Sequence, residues 1–344
     1  MSDPIRIGVI GAGANTKLHH IPGLQAIGGV QIVGVCNRSR ESSERVAREF
    51  NIHETFAHWT DVVADPRVDA VVIGTWPYLH APITVAALDA GKHVLVEARM
   101  AMDAVEARQM YETSVLHPEL VAQVVPSPFS FPADAAVKRL IGEGYIGEPL
   151  AIELRGACDG FIDRDGPLHW RQDSDLSGHN VLTMGIWYES LMRWVGEATR
   201  VTAMGRVFVK TRRAADGSMR PVRVPEHVDI VADMACGAVA HMRFSAITGL
   251  AGGPEAIVFG SEGTLRFDGK DLYGGRRGEK SLQKIDIPAG ERADWRVEAE
   301  FIAAIRGEQP VRLTTFRDGV RYMEFTSAVA QSIAEGGTIE LPMV

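Results

Sequence analysis

The chain has 344 residues and a formal net charge of −8, with 36 Lys and Arg against 44 Asp and Glu. That balance disfavours a nucleic-acid partner, which needs clustered Lys and Arg, and no basic block occurs. The composition, 46% hydrophobic and 23% charged, is that of an ordinary globular protein, and at about 150 residues per domain it predicts two domains.

No apolar run approaches the roughly 18 residues that cross a bilayer, so no membrane partner is expected. A strand pattern over residues 5–10 begins without a charged n-region and apolar h-region ahead of it, so no signal peptide is expected. Cys36, Cys158 and Cys236 are odd in number and far apart. They suggest neither a disulfide framework nor a CxxC metal site, and a reducing cytoplasm is the expected setting.

In chain order, the first third alternates strand and helix. Residues 5–10 are apolar and lead into a glycine-rich turn, followed by helical spacing over 18–27. A strand is expected over 31–36, a charged helix over 41–50, and a strand over 68–74 ("VDAVVIG") with almost no alternation. Helix 81–90 stops at Gly91. Strand 93–96 follows, then helix 104–116, capped by Asp103 with Glu106 three residues on, as in a capping box. Near-continuous apolar strands between helices predict a parallel sheet covered on both faces.

The pattern then changes. Three prolines in "VAQVVPSPFSFPADAAVKRL" mark a crossover between domains. Helix 133–141 comes next. Residues 150–156, 201–209, 228–236, 239–247 and 256–268 read as strands, the last broken at Ser261-Glu262-Gly263 into a hairpin, which predicts an antiparallel sheet. A helix over 181–195 separates the first two strands. A closing helix pair, 295–306 and 315–335, packs on one domain or the other. The Trp194 and Trp295 regions read as core.

The stretch "GVIGAGANTKLHHIPGL" sets Gly8, Gly11 and Gly13 at a strand-to-helix turn. Gly11 allows the tight turn. Gly13 lets backbone N–H groups approach a pyrophosphate at the helix N-terminus, with Ala14 and Asn15 beside it. Thr16 stands where the third fingerprint glycine is usual. A purely structural turn is the competing reading, but a strand before and a helix after are the context the motif requires. His19-His20 invites a metal reading, yet adjacent helical residues point about 100° apart and do not chelate from one face, so no metal is expected.

The end of the second strand discriminates between nucleotides. NAD selection uses an acid about 20 residues after the turn. Here the chain reads Asn37-Arg38-Ser39. An amide, a guanidinium and a hydroxyl suit a 2′-phosphate that an acid would repel. NADP is therefore the expected cofactor, with NAD the alternative if Arg38 is only a solvated surface residue.

The stretch "VDAVVIGTWPYLHAPITVAALDAGKHVLVEARMAMDAVEARQM" resembles the glucose–fructose oxidoreductase, inositol dehydrogenase and MocA family. The family's Thr-x-Pro turn is matched by Thr75-Trp76-Pro77, and its following histidine by His80. "WRQDSDLSGHNVLTMGIWYESLMRWVG" and "EGGTIELP" are also similar, so the likeness covers nearly the whole chain. It implies an α/β protein with an N-terminal Rossmann domain over residues 1–125. It also implies a C-terminal α/β domain over 126–344, with a large, mainly antiparallel open sheet whose outer face makes a homodimer or homotetramer interface.

In the family the strand at 93–96 ends in Glu-Lys-Pro, with the Glu near the nicotinamide and the Lys assisting proton transfer. Glu97-Ala98-Arg99 stands there, so the lysine position is Ala98. Aligned through "GIWYESLMRW", the family's Asp, His and further Asp fall on Thr183, Trp187 and Ser190. Moving hydride off an alcohol needs something to take the hydroxyl proton, a contribution of roughly 100- to 10,000-fold. His179 or Tyr188 is the replacement acid/base candidate. Arg99 is expected to bind an anionic or polyhydroxyl substrate, and Glu97 to sit at the cofactor. Their bland readings are a helix cap for His179, core for Tyr188, and a Glu97 pair or solvent for Arg99.

Three functions compete. The first is an NAD(P)-dependent oxidoreductase acting on a sugar, cyclitol or related compound with an altered proton-transfer set. The second is an epimerase, lyase or isomerase that uses bound nucleotide transiently. The third is a non-catalytic NADP(H)-binding protein.

Overall fold

The computed structural model describes residues 3–157 and 160–343; Cys158 lies outside them. The chain divides into two units: residues 1–126 with 296–320, and residues 127–295 with 321–344.

The first unit opens with β1 (Ile5–Ile10), a π-helical turn (Thr16–His20) and α1 (Ile21–Gln25). It continues through β2 (Val30–Cys36), α2 (Arg40–Phe50), β3 (Glu54–Thr55), α3 (Trp59–Ala64) and β4 (Ala70–Ile73). Then come α4 (His80–Asp89), β5 (His93–Val96), α5 (Ala104–Leu116) and β6 (Ala122–Val124). The six strands pair in parallel in the order β3-β2-β1-β4-β5-β6. β4 has all four residues buried, which is why its sequence shows no alternation. The strand order reverses between β1 and β4, where such sheets open a crevice at their C-terminal ends.

Gly91 has φ +71° just past α4, the left-handed stop its sequence suggests. Asp103 accepts from the Glu106 N–H as an N-cap, but the Glu106 carboxylate accepts from Met102 N–H, so the expected reciprocal box is displaced by one residue. The nucleotide helix begins at Ala14, four residues earlier than the apolar spacing indicates, because residues 14–17 carry no large apolar side chain and the π-turn over Thr16–His20 is mostly polar.

The second unit begins with α6 (Phe131–Gly142) and β7 (Pro149–Ala157), then the short α7 (Ser174–Ser177) and α8 (Met184–Val195). Nine further strands follow: β8 (Ala198–Arg206), β9 (Thr211–Arg213), β10 (Met219–Pro221), β11 (His227–Met234), β12 (Val239–Ser245), β13 (Glu255–Gly260), β14 (Gly263–Phe267), β15 (Leu272–Arg276) and β16 (Gln283–Ile285). The hairpin break at 261–262 falls where the turn residues place it.

The chain closes with α9 (Val297–Ile305), α10 (Phe316–Glu335) and β17 (Thr338–Glu340). Residues 296–320, which a single cut at 126 assigns to the second domain, cluster with the first unit. There the Val124 N–H donates to the Thr314 carbonyl, and Gln123 Nε2 donates to the Leu313 carbonyl at the edge of the parallel sheet.

The large sheet of the second unit has nine strands in the order β16-β15-β14-β13-β7-β12-β11-β8-β17. Its pairs are antiparallel except β7 with β12, as expected of a mainly antiparallel sheet. Local turns specify hairpins, whereas β7 and β12 meet across a long connection that the sequence pattern does not reveal. β11 buries alternate residues, with Val228, Ile230, Ala232 and Met234 inside. Trp194 is core, packed edge-on to Phe267, but Trp295 is only half-buried.

Candidate functional site

The C-terminal end of β1 enters the glycine turn. Gly11 takes φ +84°, and a Cβ there would lie 2.5 Å from Thr75 N. A Cβ on Gly13 would come no nearer than 3.7 Å to the Gly74 carbonyl, so this side of the turn stays open. Thr16 is buried, its hydroxyl donating to the Gly11 carbonyl at 3.1 Å. A side chain at Gly74 would collide with the Thr16 hydroxyl. The close helix–strand approach that the third fingerprint glycine usually provides is thus made by Gly74, from the opposite side of the contact. Ala14 is exposed and Asn15 half-buried at the helix start.

Around this turn lies a cavity of about 470 Å³, walled by residues of the first unit alone. Gly11, Ala12 and Gly13 line it from β1, Asn37 to Ser39, Ser42 and Arg45 from β2 and α2, and Gly74 to Trp76 from β4. Among the described residues no carboxylate lines it. Thr75 Oγ1 is buried without a protein partner, an acceptor and donor left for a ligand. The residues present therefore fit a dinucleotide: a glycine cradle, an unused buried hydroxyl and a cationic far wall.

The three residues at the end of β2 divide their work. Asn37 Oδ1 accepts from Ala12 N–H at 2.7 Å, and Asn37 Nδ2 donates to the Ser42 hydroxyl at 3.1 Å. Ser39 caps α2, accepting from Ser42 N–H. Arg38 is exposed, its guanidinium 5.5 Å from the Trp76 ring centre. Asn37 and Ser39 thus shape the rim, while Arg38 presents charge. Arg45, just over one turn into α2, adds a second cation.

Pro77 is buried and starts a short 3-10 turn after Trp76. His80 is buried, with Nδ1 2.9 Å from the Arg99 carbonyl and Nε2 2.9 Å from the Thr75 carbonyl. Burial outweighs these contacts and holds its pKa below the usual histidine value. His80 ties the ends of β4 and β5 together rather than presenting a ring nitrogen to the cavity.

At the end of β5, Glu97 accepts from Asn15 Nδ2 and lies 2.9 Å from His20 Nε2. His20 is fully buried, and its other nitrogen is 2.5 Å from Glu298 Oε1 on α9. Burial disfavours the imidazolium, but hydrogen bonds to Glu298 and Glu97 prevail and raise its pKa to about 9. Burial likewise works against the Glu97 carboxylate, and the contacts with His20 and Asn15 outweigh it, lowering its pKa. Arg99, two residues on, is 2% exposed, which does not match a solvated side chain. Among the described residues no His, Cys, Asp and Glu cluster is arranged to hold a metal.

In the second unit, His179 precedes α8 by several residues instead of starting it, because Gly178 (φ +62°) ends α7 and the chain turns before Met184. It is exposed, with Nδ1 3.1 Å from the Ser327 hydroxyl. Tyr188 is 1% exposed, stacked on Phe325 at 3.6 Å, and its hydroxyl accepts from Ala198 N–H at 2.8 Å. Burial pushes its pKa far up. Tyr188 is a core residue, and this placement removes it from the acid/base candidates. Trp187 is also buried, 5.2 Å from the Phe129 ring, and Ser190 is buried against the Ser127 hydroxyl at 3.0 Å. Thr183 is half-buried at the N-cap of α8.

Residues 5–122 match the family model described as an oxidoreductase family with an NAD-binding Rossmann fold, and residues 135–266 match the GFO/IDH/MocA C-terminal domain. The chain belongs to the Gfo/Idh/MocA oxidoreductase family. It is 26% identical to levoglucosan dehydrogenase of Pseudarthrobacter phenanthrenivorans, over 90% of this chain and 89% of that protein. It is 33% identical to inositol 2-dehydrogenase of Pseudomonas savastanoi pv. phaseolicola, over 43% and 44% of the two chains. A solved levoglucosan dehydrogenase complex with NADH and L-sorbose superposes with a TM-score of 0.86 at 23% identity, covering 98% of this chain and 99% of that one.

Within this Gfo/Idh/MocA chain, the glycine turn, the end of β2 and Glu97, which the sequence offers as cofactor-site candidates, all lie at strand ends. The sequence assigns no role to Arg45 or Glu298, and it weighs His20 only as a metal ligand. An arginine seven residues after Arg38, just over one turn into the next helix, is a usable signal for the first. Nothing local points to the other two.

Proposed function

We propose that the protein is an NADP-dependent oxidoreductase, with NAD the weaker coenzyme, acting on a sugar, cyclitol or related polyhydroxyl compound. The observation that carries the coenzyme reading is the cavity wall at the end of β2. It holds Arg38 and Arg45 and no carboxylate, so it suits a 2′-phosphate and lacks the acid that selects a ribose hydroxyl. Support for the substrate class comes from the relatives, which act on levoglucosan and inositol by their names.

The coenzyme supplies hydride transfer when bound. The chain's own part is to cradle the pyrophosphate on the Gly11–Gly13 turn, to offer the Thr75 hydroxyl, and to keep Glu97 ionised at the end of β5. Ala98, at the position of the family lysine, carries no proton-transfer group. His179 is then the proposed acid/base, as the exposed titratable member of the candidate set, and Arg99 is kept as the proposed substrate-binding cation. The outer face of the nine-stranded sheet exposes Met204, Val231 and Val239, which suits a homodimer or homotetramer interface.

The test is a fluorescence titration with NADPH and NADH, followed by polyol screening with NADP+. Tighter NADPH binding and net NADPH formation support the reading. Tighter NADH binding overturns the coenzyme assignment. Turnover with no net coenzyme change moves the protein to the epimerase, lyase or isomerase class, and coenzyme binding without any turnover marks a non-catalytic binder.

A further inference from the structure

We propose that His20 and Glu298 are positioning residues that hold Glu97 as a fixed negative charge at the nicotinamide end of the crevice, so that the site favours the oxidised coenzyme. The proposal rests on the coenzyme reading above for its second half only.

The parallel sheet is built from two mononucleotide-binding halves that meet between β1 and β4. The adenosine side is the β1–β3 half, where Arg38 and Arg45 lie. Glu97 leaves the C-terminal end of β5, in the other half, and one of its oxygens accepts from Asn15 at the start of the nucleotide helix. Its neighbourhood is therefore the nicotinamide end. The ring there is cationic when oxidised and neutral when reduced, so a nearby carboxylate stabilises the oxidised form preferentially.

Three observations make the trio a built device. His20 is fully buried, and both of its nitrogens are committed, one to each carboxylate. The carboxylates come from the residue after β5 and from α9, distant in sequence, so the contact exists only in the folded unit. Gly23, one turn after His20, leaves the space for Glu298: a Cβ there would lie 2.9 Å from Glu298 Oε2. With the imidazolium between two carboxylates the trio carries one net negative charge. Of the other titratable groups, His80 on α4 also acts on Glu97, and burial lowers its own pKa.

Two variants separate the clamp from a packing role. Glu298→Gln keeps the shape and removes one charge. Gly23→Ala keeps every charge and pushes the Glu298 carboxylate away, while alanine is the better helix former. The first readout is the His20 ring titration by NMR in the coenzyme-free protein. Wild-type His20 is expected to stay protonated through about pH 8, and in both variants to titrate at least about one unit lower, a tenfold change in proton affinity.

The second readout is the ratio of dissociation constants for reduced and oxidised coenzyme between pH 6 and 8.5. In wild type it is expected to be flat and to favour the oxidised form. In Glu298→Gln it falls about tenfold at pH 6, where the His20–Glu97 pair is neutral overall, and recovers as His20 loses its proton. A wild-type His20 that titrates near 6.5 overturns the clamp. Ratios in Glu298→Gln that track wild type at every pH overturn the effect on the coenzyme. If wild type binds neither coenzyme, the coenzyme reading has failed and this second half falls with it, while the His20 titration still decides the clamp.

Discussion

Asn37 Oδ1 accepts a 2.7 Å hydrogen bond from the Ala12 backbone N–H, which locks the end of β2 to the glycine turn. An aspartate accepts the same bond, so Asn37→Asp is expected to keep the turn in place and to put a carboxylate where a 2′-phosphate would sit. Coenzyme preference should move toward NADH by about 10- to 100-fold, the scale of one charged hydrogen bond gained or lost. Titration of both coenzymes checks this, and an unchanged preference shows that the phosphate sits elsewhere.

Arg38→Ala removes a cation from the cavity wall without touching the Asn37 and Ser39 contacts. NADPH affinity should fall about tenfold or more while NADH affinity changes little. The salt dependence of NADPH binding should flatten as well, since an exposed charge pair has been lost.

Thr75 Oγ1 is buried with no protein partner. Thr75→Val removes that orphan, so thermal stability of the coenzyme-free protein should hold or rise slightly. Coenzyme affinity should drop by about two- to tenfold if the ligand supplies the missing partner. A destabilised variant with unchanged affinity would mean that the hydroxyl serves the fold.

Tyr188 stacks on Phe325 and accepts from Ala198 N–H, so its hydroxyl belongs to the fold. Tyr188→Phe strands a buried donor and should cost about 1–3 kcal/mol of stability, read as a lower melting temperature. Turnover at 25 °C should be unaffected. A variant that melts like wild type and has lost turnover would return Tyr188 to the catalytic set.

The His20 trio gives stability a pH dependence of known sign. The folded pKa of His20 lies above its unfolded value of 6.5, at about 9, so its contribution is full below 6.5 and is lost as pH rises through 9. The contribution is on the order of 3 kcal/mol. Glu97 has the opposite sign: its folded pKa is lowered, so its contribution is present above about 4.5 and is lost as pH falls. Urea midpoints of wild type should decline between pH 7 and 10, and His20→Gln should lack that decline.

Much of the architecture was legible because its signals are local. β5 occupies residues 93–96 as read, since four apolar residues between a glycine stop and a charged end leave little choice. The hairpin at 261–262 and the cap at Asp103 rest on turn and cap chemistry within a few residues. The candidate site was legible at strand ends for the same reason. His179 and Tyr188 stand out by residue type within a helix pattern, which cannot say which way a side chain faces or where the helix begins.

The sequence by itself determined the alternating strand–helix order of the first unit, the glycine turn and the charge at the end of β2. Each of these is set by the conformational limits or charge of neighbouring residues. Only the tertiary structure decided that His20 lies between Glu97 and Glu298, that Gly74 takes the role of the absent third glycine, and that β7 runs parallel to β12. Those contacts join residues far apart in the chain. They are selected by burial and by the cost of leaving a buried charge or polar group without a partner, and no short stretch of sequence records that cost.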